Sequence, residues 1–396
     1  MTSEKNRVYG LDIMRAVAIL AVMQAHGTYL VLHYLTARQF NPPQIDGVSI
    51  FFVLSGFLIG RILIDMFVRG RVTMRDVAQF WIRRWFRTLP TYYLVLLLLI
   101  GIYWSRYHFY LPAFTNLLTF TQNINHGPSF FFEEAWSLSV EEWFYLAVPP
   151  VMFLVCKFAH GARHRAILCV IAGVIIASLA IRVWTAVRLG YFFKFAGVSW
   201  TENITMPVIN RFESIMLGVL GAYLMKYRPG PFQKHAGLLL VAGIVLTFLT
   251  NYRLFLPSNF AALFANYVYV TALGIGALLT IPKLSSIKSG SGTIYRIITF
   301  ISKISYPMYL TNLHLSEITL LPWASRLLHL PSDENIFNWP SDGTPFECFA
   351  RLALWWIITL GVSFAIHKLF EMPVMNLRER IRFDKKIEFA ALEKSL

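Results

Sequence analysis

Two side chains in the first apolar stretch, LDIMRAVAILAVMQAHG, have the types and spacing for chemistry. Arg15 and His26 are eleven residues apart. Eleven helical steps of ~100° make about three turns, so both lie on one face, roughly 16 Å apart along the axis. An arginine can hold a phosphate or another anion. A histidine is the side chain best matched to proton transfer near neutral pH. Asp12 stands three residues before Arg15 and is placed to pair with it. The bland alternatives are a structural Arg15–Asp12 pair and an interhelical hydrogen bond for His26. The shared face weighs toward function.

Other ionisable residues sit where a low-polarity environment makes them costly. Glu133 and Glu134 read as lying at the outer interface, just before the helical pattern AWSLSVEEWFYL, and Glu141 and Glu142 fall one to two turns into it. Adjacent helical residues point to different faces, so at most one of Glu141 and Glu142 faces a given pocket. Such a carboxylate can orient a histidine or pair with an arginine, or serve only as a polar contact between helices. Arg84 and Arg87, three apart in FWIRRWFRTLP, share a face and with Arg83 could bind phosphate or lipid headgroups. Arg211 and Glu213, two apart, cannot meet on one helix, so each needs a partner elsewhere. Lys303, Tyr306, Tyr309, Asn312 and His314 mark a later apolar stretch. His314, near its outer end, reads as a snorkelling surface histidine. The three cysteines, Cys156, Cys169 and Cys348, have no metal-ligand spacing and read as small apolar residues. No metal is expected.

The elements that must position these groups follow from composition. The chain has 396 residues, 56% hydrophobic and 14% charged, with mean hydropathy +0.54. Soluble domains carry about 45–50% apolar and about 25% charged residues. An ordinary cytosolic enzyme, a disordered chain and a disulfide scaffold are therefore excluded. A membrane helix needs about 20 mainly apolar residues. Ten segments qualify: 9–32, 46–68, 89–106, 136–157, 166–187, 205–225, 236–250, 260–281, 297–322 and 348–370. The stretch 109–122 is short, holds Pro112, and reads as re-entrant or interfacial, with an eleventh span as its alternative. VRGRVTMRDVAQFWIRRWFRTLP, before the third span, reads as a basic amphipathic helix lying at the interface. The expected fold class is all-α, polytopic, with both termini cytoplasmic. A single transmembrane domain covers 1–375, with a short basic tail at 376–396.

The formal net charge of +15 would suggest nucleic acid in a soluble protein. Alternating the spans from a cytoplasmic N-terminus puts 24 Lys and Arg inside, 6 outside and 6 within spans. That bias is the positive-inside pattern, so the charge reports orientation. No nucleic-acid partner is expected. The outer loop 323–347 carries Asp333, Glu334, Asp342, Glu347, Trp323 and Trp339, which suit a sugar-facing surface or any solvated loop. No cleavable signal peptide is expected.

LDIMRAVAILAVMQAHG, GVSIFFVLSGFLIG at 47–60, FWIRRWFRTLP at 80–90, EEAWSLSVEEWFYL at 133–146, RFESIMLGVLGAYL at 211–224, SYPMYL at 305–310 and FEMPVMNL at 370–377 occur in an order that resembles the acyltransferase 3 family of bacterial membrane acyltransferases. The resemblance implies transfer of an acyl group, usually acetyl from acetyl-CoA, to a hydroxyl of a carbohydrate or other envelope molecule at the inner membrane. By position it implies that His26 is the essential histidine and Arg15 its paired arginine. It likewise implies that Arg84 and Arg87 form the cytoplasmic Arg-x-x-Arg, and that Glu141 is the acidic residue of the fourth span. Two positions depart from the pattern. Asn312 stands where the family often has histidine, with His314 two residues on, and Ser49 stands where an acidic residue is common. Neither His314 nor Ser49 is given a role. The hydrolase-like outer domain that some relatives carry is not expected.

The expected mechanism holds acyl-CoA through Arg84, Arg87 and Arg15, with acyl transfer at His26, which either takes a proton from the acceptor or carries the acyl group. Glu141 is expected to tune or orient that chemistry. Two other readings stand beside it: a transporter or flippase using the same buried charges, and an acyltransferase acting on a lipid or small molecule.

Overall fold

The computed structural model describes residues 7–31, 45–69, 72–107, 114–128, 130–159, 161–190, 201–251, 267–330 and 344–380. Ten helices of 16 residues or more occur among them: α1 (Tyr9–Tyr29), α2 (Gly47–Arg69), α3 (Met74–Tyr107), α4 (Trp136–Phe158), α5 (Arg163–Arg188), α6 (Phe212–Tyr227), α7 (Ala236–Asn251), α8 (Tyr269–Leu284), α9 (Gly292–Thr311) and α10 (Pro345–Ile366). There is no strand among the described residues. Five helices are long and apolar enough to cross a membrane: Gly47–Val68, Met74–Ser105, Glu133–Phe158, Arg163–Arg188 and Pro345–Leu377. α7 and α8 are shorter apolar helices. Span residues 260–266, loop residues Asp333, Glu334, Trp339 and Asp342, and the tail from 381 lie outside the described residues.

The distribution of polarity is inverted relative to a protein folded in water. Leu97, Trp104, Leu154, Phe158, Ile176, Leu238, Leu249 and Ile357 are exposed, whereas Asp12, Glu142, Arg182, Arg211, Glu213, Asn312 and Glu317 are buried. Large apolar side chains turned outward around a core that also buries charged groups suit hydrocarbon as the solvent. This is a membrane protein.

Without a hydrophobic drive between helices, close backbone approach matters most. Gly56 and Gly60 on α2 meet α6. A Cβ at Gly56 would stand 1.8 Å from the Ile215 carbonyl oxygen, and one at Gly218 would stand 2.1 Å from that of Val53. Side-chain pairs give the helix directions. Arg15 meets Ser302 and His26 meets Asn312, so α1 and α9 run parallel. Arg84 meets Tyr145 and Thr88 meets Glu142, so α3 and α4 run antiparallel.

Three elements differ from the sequence reading. The basic segment before the third span is not a separate interfacial helix but the first half of the 34-residue α3. Hydrogen bonds from Trp81, Arg84 and Thr88 to α4 hold it upright in the bundle. The sixth helix begins at Phe212 rather than near 205, because Thr201–Asn210 forms π and 3-10 turns. The ninth element does not end as a regular helix. It passes into π-helical turns, Asn312–Leu320, and then a short helix, Leu321–Leu327.

Candidate active site

α1 and α9 frame the site. At one end Asp12 accepts from Arg7 (Nη2–Oδ1 2.6 Å, Nε–Oδ2 3.0 Å) and from Ser302 Oγ at 2.8 Å. Arg15 reaches the same carboxylate only at 3.5 Å. The expected Arg15–Asp12 pair is thus the weaker contact, because Arg7 holds Asp12 in a bidentate fork.

At the other end His26 Nδ1 hydrogen-bonds Asn312 Oδ1. The amide orientation is dictated by its other half: Nδ2 donates to the Met308 and Tyr309 carbonyls at 3.0 and 2.8 Å. Carbonyl oxygens only accept, so the Asn312 oxygen must face His26, and Nδ1 must carry the hydrogen. The lone pair of a neutral His26 is then on Nε2. Asn312 is held in turn by the Trp355 indole, which donates to its carbonyl at 2.8 Å. Gly27 admits that indole; a Cβ there would stand 2.7 Å from the Trp355 ring.

A second polar node joins α2, α3 and α4. Arg84 Nη2 lies 3.2 Å from Glu141 Oε2 and 2.8 Å from the Tyr145 hydroxyl oxygen. Tyr145 donates its single hydroxyl hydrogen to Glu141 at 3.0 Å, which leaves Ser55 Oγ as the donor in the 2.5 Å contact with Tyr145. Glu142 points elsewhere and accepts from Thr88 Oγ1 at 2.9 Å. The two neighbouring carboxylates thus face different surroundings, as their helical positions require.

Two cavities organise these groups. The larger, about 150 Å³, is lined by Arg15, Arg84, Arg87 and Lys303, with Glu141 and Glu371 as its carboxylates. Four cations stand against two carboxylates in its lining, an excess of formal positive charge. The second, about 130 Å³, holds His26 beside Asp46, Glu133 and Glu134. Of the residues expected to act together, Arg15, Arg84, Arg87 and Glu141 share the first cavity and His26 lines the second. Glu141 pairs with Arg84 and does not line the His26 cavity; the carboxylates that do are Asp46, Glu133 and Glu134.

The π-helical turn also decides His314. It is buried, not a surface residue, with Nδ1 2.6 Å from Glu134 Oε2 and Nε2 2.6 Å from the Phe130 carbonyl. Nδ1 fixes Glu134 in the wall of the His26 cavity, and Nε2 anchors the ring on the Phe130 carbonyl. Glu134 is itself buried rather than at an interface.

Arg211 and Glu213 find separate partners, as their spacing demands. Glu213 binds buried Arg182 and accepts from Thr271 Oγ1 at 3.0 Å. Arg211 donates to Ser49 Oγ at 3.1 Å and lies 3.7 Å from Asp46. Asp46 in turn accepts from the Ser49 backbone at 3.0 Å, as an N-cap does, and from Ser49 Oγ at 2.7 Å. An acid, Asp46, is thus bonded to Ser49 from three residues earlier in the chain.

The acyltransferase domain model of the acyltransferase 3 family matches residues 8–367. The chain belongs to this family. Among its relatives, the peptidoglycan O-acetyltransferase of Listeria monocytogenes is 27% identical over 298 residues, 62% of this chain and 44% of the relative. A Staphylococcus aureus (strain COL) protein named "Putative O-acetyltransferase" is 26% identical over 331 residues, 76% of this chain and 49% of the relative. A Bacillus subtilis protein named "Putative peptidoglycan O-acetyltransferase" is 34% identical over 169 residues, 39% of this chain and 25% of the relative. The chain spans about half the length, or less, of these relatives. No solved structure matches it. The family match covers every residue that lines the two cavities except Glu371.

Sequence reasoning missed Asn312 as the partner of His26, Tyr145 and Ser55 as the supports of Glu141, and Asp46. The signal for Asn312 was its departure from the family's histidine. A hydroxyl such as Ser55 or Tyr145 inside an apolar helix carries no comparable mark.

Proposed function

We propose that this protein is a multi-pass enzyme of a bacterial cytoplasmic membrane that transfers an acyl group, foremost acetyl, from acyl-CoA to a hydroxyl of a cell-envelope or exported carbohydrate. The reading is carried by one observation: a cavity with four cations abuts a cavity holding a histidine whose basic nitrogen is defined. The cations that line this cavity outnumber its carboxylates by four to two, which favours an anionic ligand there. CoA brings phosphates, and Arg15, Arg84, Arg87 and Lys303 are suited to hold them. The positive-inside bias supports an orientation with that cavity toward the cytoplasm, where acyl-CoA is made.

Glu141 and Tyr145 fix the Arg84 guanidinium from behind, so that it meets the phosphates without reorganising. His26 Nε2 accepts the proton of the acceptor hydroxyl as its oxygen attacks the thioester carbonyl. The new C–O bond forms, the C–S bond breaks, and the thiolate leaves with the proton returned from the imidazolium. Asn312 keeps Nδ1–H pointing away and disperses the charge that develops on the ring. In the covalent variant the same Nε2 attacks the thioester and carries the acyl group to the acceptor. A peptidoglycan sugar is the first acceptor to try, because relatives carry that name.

The test is acyl-dependent thiol release by purified protein given acetyl-CoA and peptidoglycan fragments, with mass spectrometry of the glycan. Wild type is expected to add one acetyl mass, and His26→Ala to lose the transfer. Transfer by a folded His26→Ala protein near the wild-type rate sinks the reading.

A further inference from the structure

The cationic cavity and the His26 cavity share two wall residues, Val48 and Tyr309. Val48 lies in the first turn of α2, just past the Asp46 cap. The Tyr309 ring is fixed: its hydroxyl donates to the Glu134 carbonyl at 3.0 Å and accepts from Ser137 Oγ at 2.7 Å, and Phe51 meets it edge-on with centroids 6.2 Å apart. Arg15 opens on the first cavity and His26 on the second, although both belong to α1. A thioester whose phosphates are held at Arg15 and Arg84 must therefore bring its acyl carbon past Val48 and Tyr309 to reach His26.

We infer that Val48 and Tyr309 form a septum that selects the acyl chain, passing a short acyl thioester and rejecting longer ones. This rests on the acyl-transfer reading above. Tyr309 is tied at both its hydroxyl and its ring, so it supplies the fixed jaw. Val48 packs against the core on both sides of the partition, and its two methyl groups set the width. A fixed apolar wall discriminates sharply by size, since one methylene in a snug pocket is worth about 10- to 200-fold in rate.

The experiment measures thiol release from acetyl-, propionyl-, butyryl- and hexanoyl-CoA, with peptidoglycan muropeptides as the acceptor probe, for wild type, Val48→Ala and Val48→Leu. The readout is the butyryl-to-acetyl rate ratio, which a general loss of folded protein does not move. Val48→Ala is expected to raise it by about tenfold or more, and Val48→Leu to lower the propionyl-to-acetyl ratio. If wild type transfers acetyl and both variants keep its chain-length profile, the septum is overturned while acyl transfer stands. If wild type releases thiol from none of the four donors, the acyl-transfer reading fails and the septum with it.

Discussion

Asn312 determines which nitrogen of His26 carries hydrogen. Its amide nitrogen is committed to the Met308 and Tyr309 carbonyls, so its oxygen faces Nδ1 and the imidazole presents Nε2 as the base. Asn312→Leu removes the acceptor and frees the ring to change tautomer. The expected result is a fall in kcat of about 10- to 100-fold, the usual cost of losing such an orienting partner, with KM for acetyl-CoA little changed. Asn312→Asp keeps an oxygen against Nδ1 and should retain more activity than Asn312→Leu. Steady-state kinetics of the two variants check the order, and the reverse order would remove Asn312 from the mechanism.

The cationic cavity predicts a charge-dependent donor affinity. Arg84→Ala and Arg87→Ala should each weaken binding of CoA by about 10- to 100-fold, as loss of a hydrogen bond to a charged group typically does. Glu141→Gln keeps the size of the side chain but loosens its hold on Arg84, so a smaller loss is expected. Titration calorimetry with CoA at two salt concentrations gives the affinities, and wild-type binding should weaken as salt rises. Unchanged affinity in the two arginine variants would return them to anchoring lipid headgroups.

Arg182 and Glu213 form a buried pair remote from both cavities. Removing one partner leaves the other charge without its counter-ion, which costs about 3–5 kcal/mol. Arg182→Met and Glu213→Leu should each lower the unfolding midpoint in detergent, and the double variant should be less destabilised than the sum of the two. Thermal unfolding of the four proteins closes the cycle. Additive losses would show that the pair contributes nothing as a pair.

The α2–α6 contact predicts a folding defect. A side chain at Gly56 would collide with the Ile215 carbonyl, so Gly56→Leu should abolish folded, detergent-extractable protein. Gly361 has nothing within 4 Å of its would-be Cβ, and Gly361→Ala should extract normally. Size-exclusion profiles of the extracted proteins decide, and a normal peak for Gly56→Leu would contradict the packing.

The site was partly legible from local pattern. The helical period sets Arg15 and His26 on one face, separates Glu141 from Glu142, and denies Arg211 and Glu213 a mutual contact. All three follow from backbone geometry. The same reasoning failed at the segment before α3, where amphipathic periodicity suits an interface as well as it suits a helix packed upright by Trp81, Arg84 and Thr88. It failed again at His314, whose burial depends on Glu134 reaching it from 180 residues away.

Sequence alone determined the membrane character, the all-helical class and the residue types able to do chemistry. These depend on composition and on repeats of a few residues, which the chain carries locally. Tertiary structure decided the rest. It set Asn312 against His26, placed Glu141 behind Arg84 instead of beside the histidine, and divided the interior between two cavities. The first two relationships join residues 286 and 57 positions apart, and they arise from how closely the helix backbones approach and which side chains then face each other. Helical period specifies a face but not the neighbour that the face will meet.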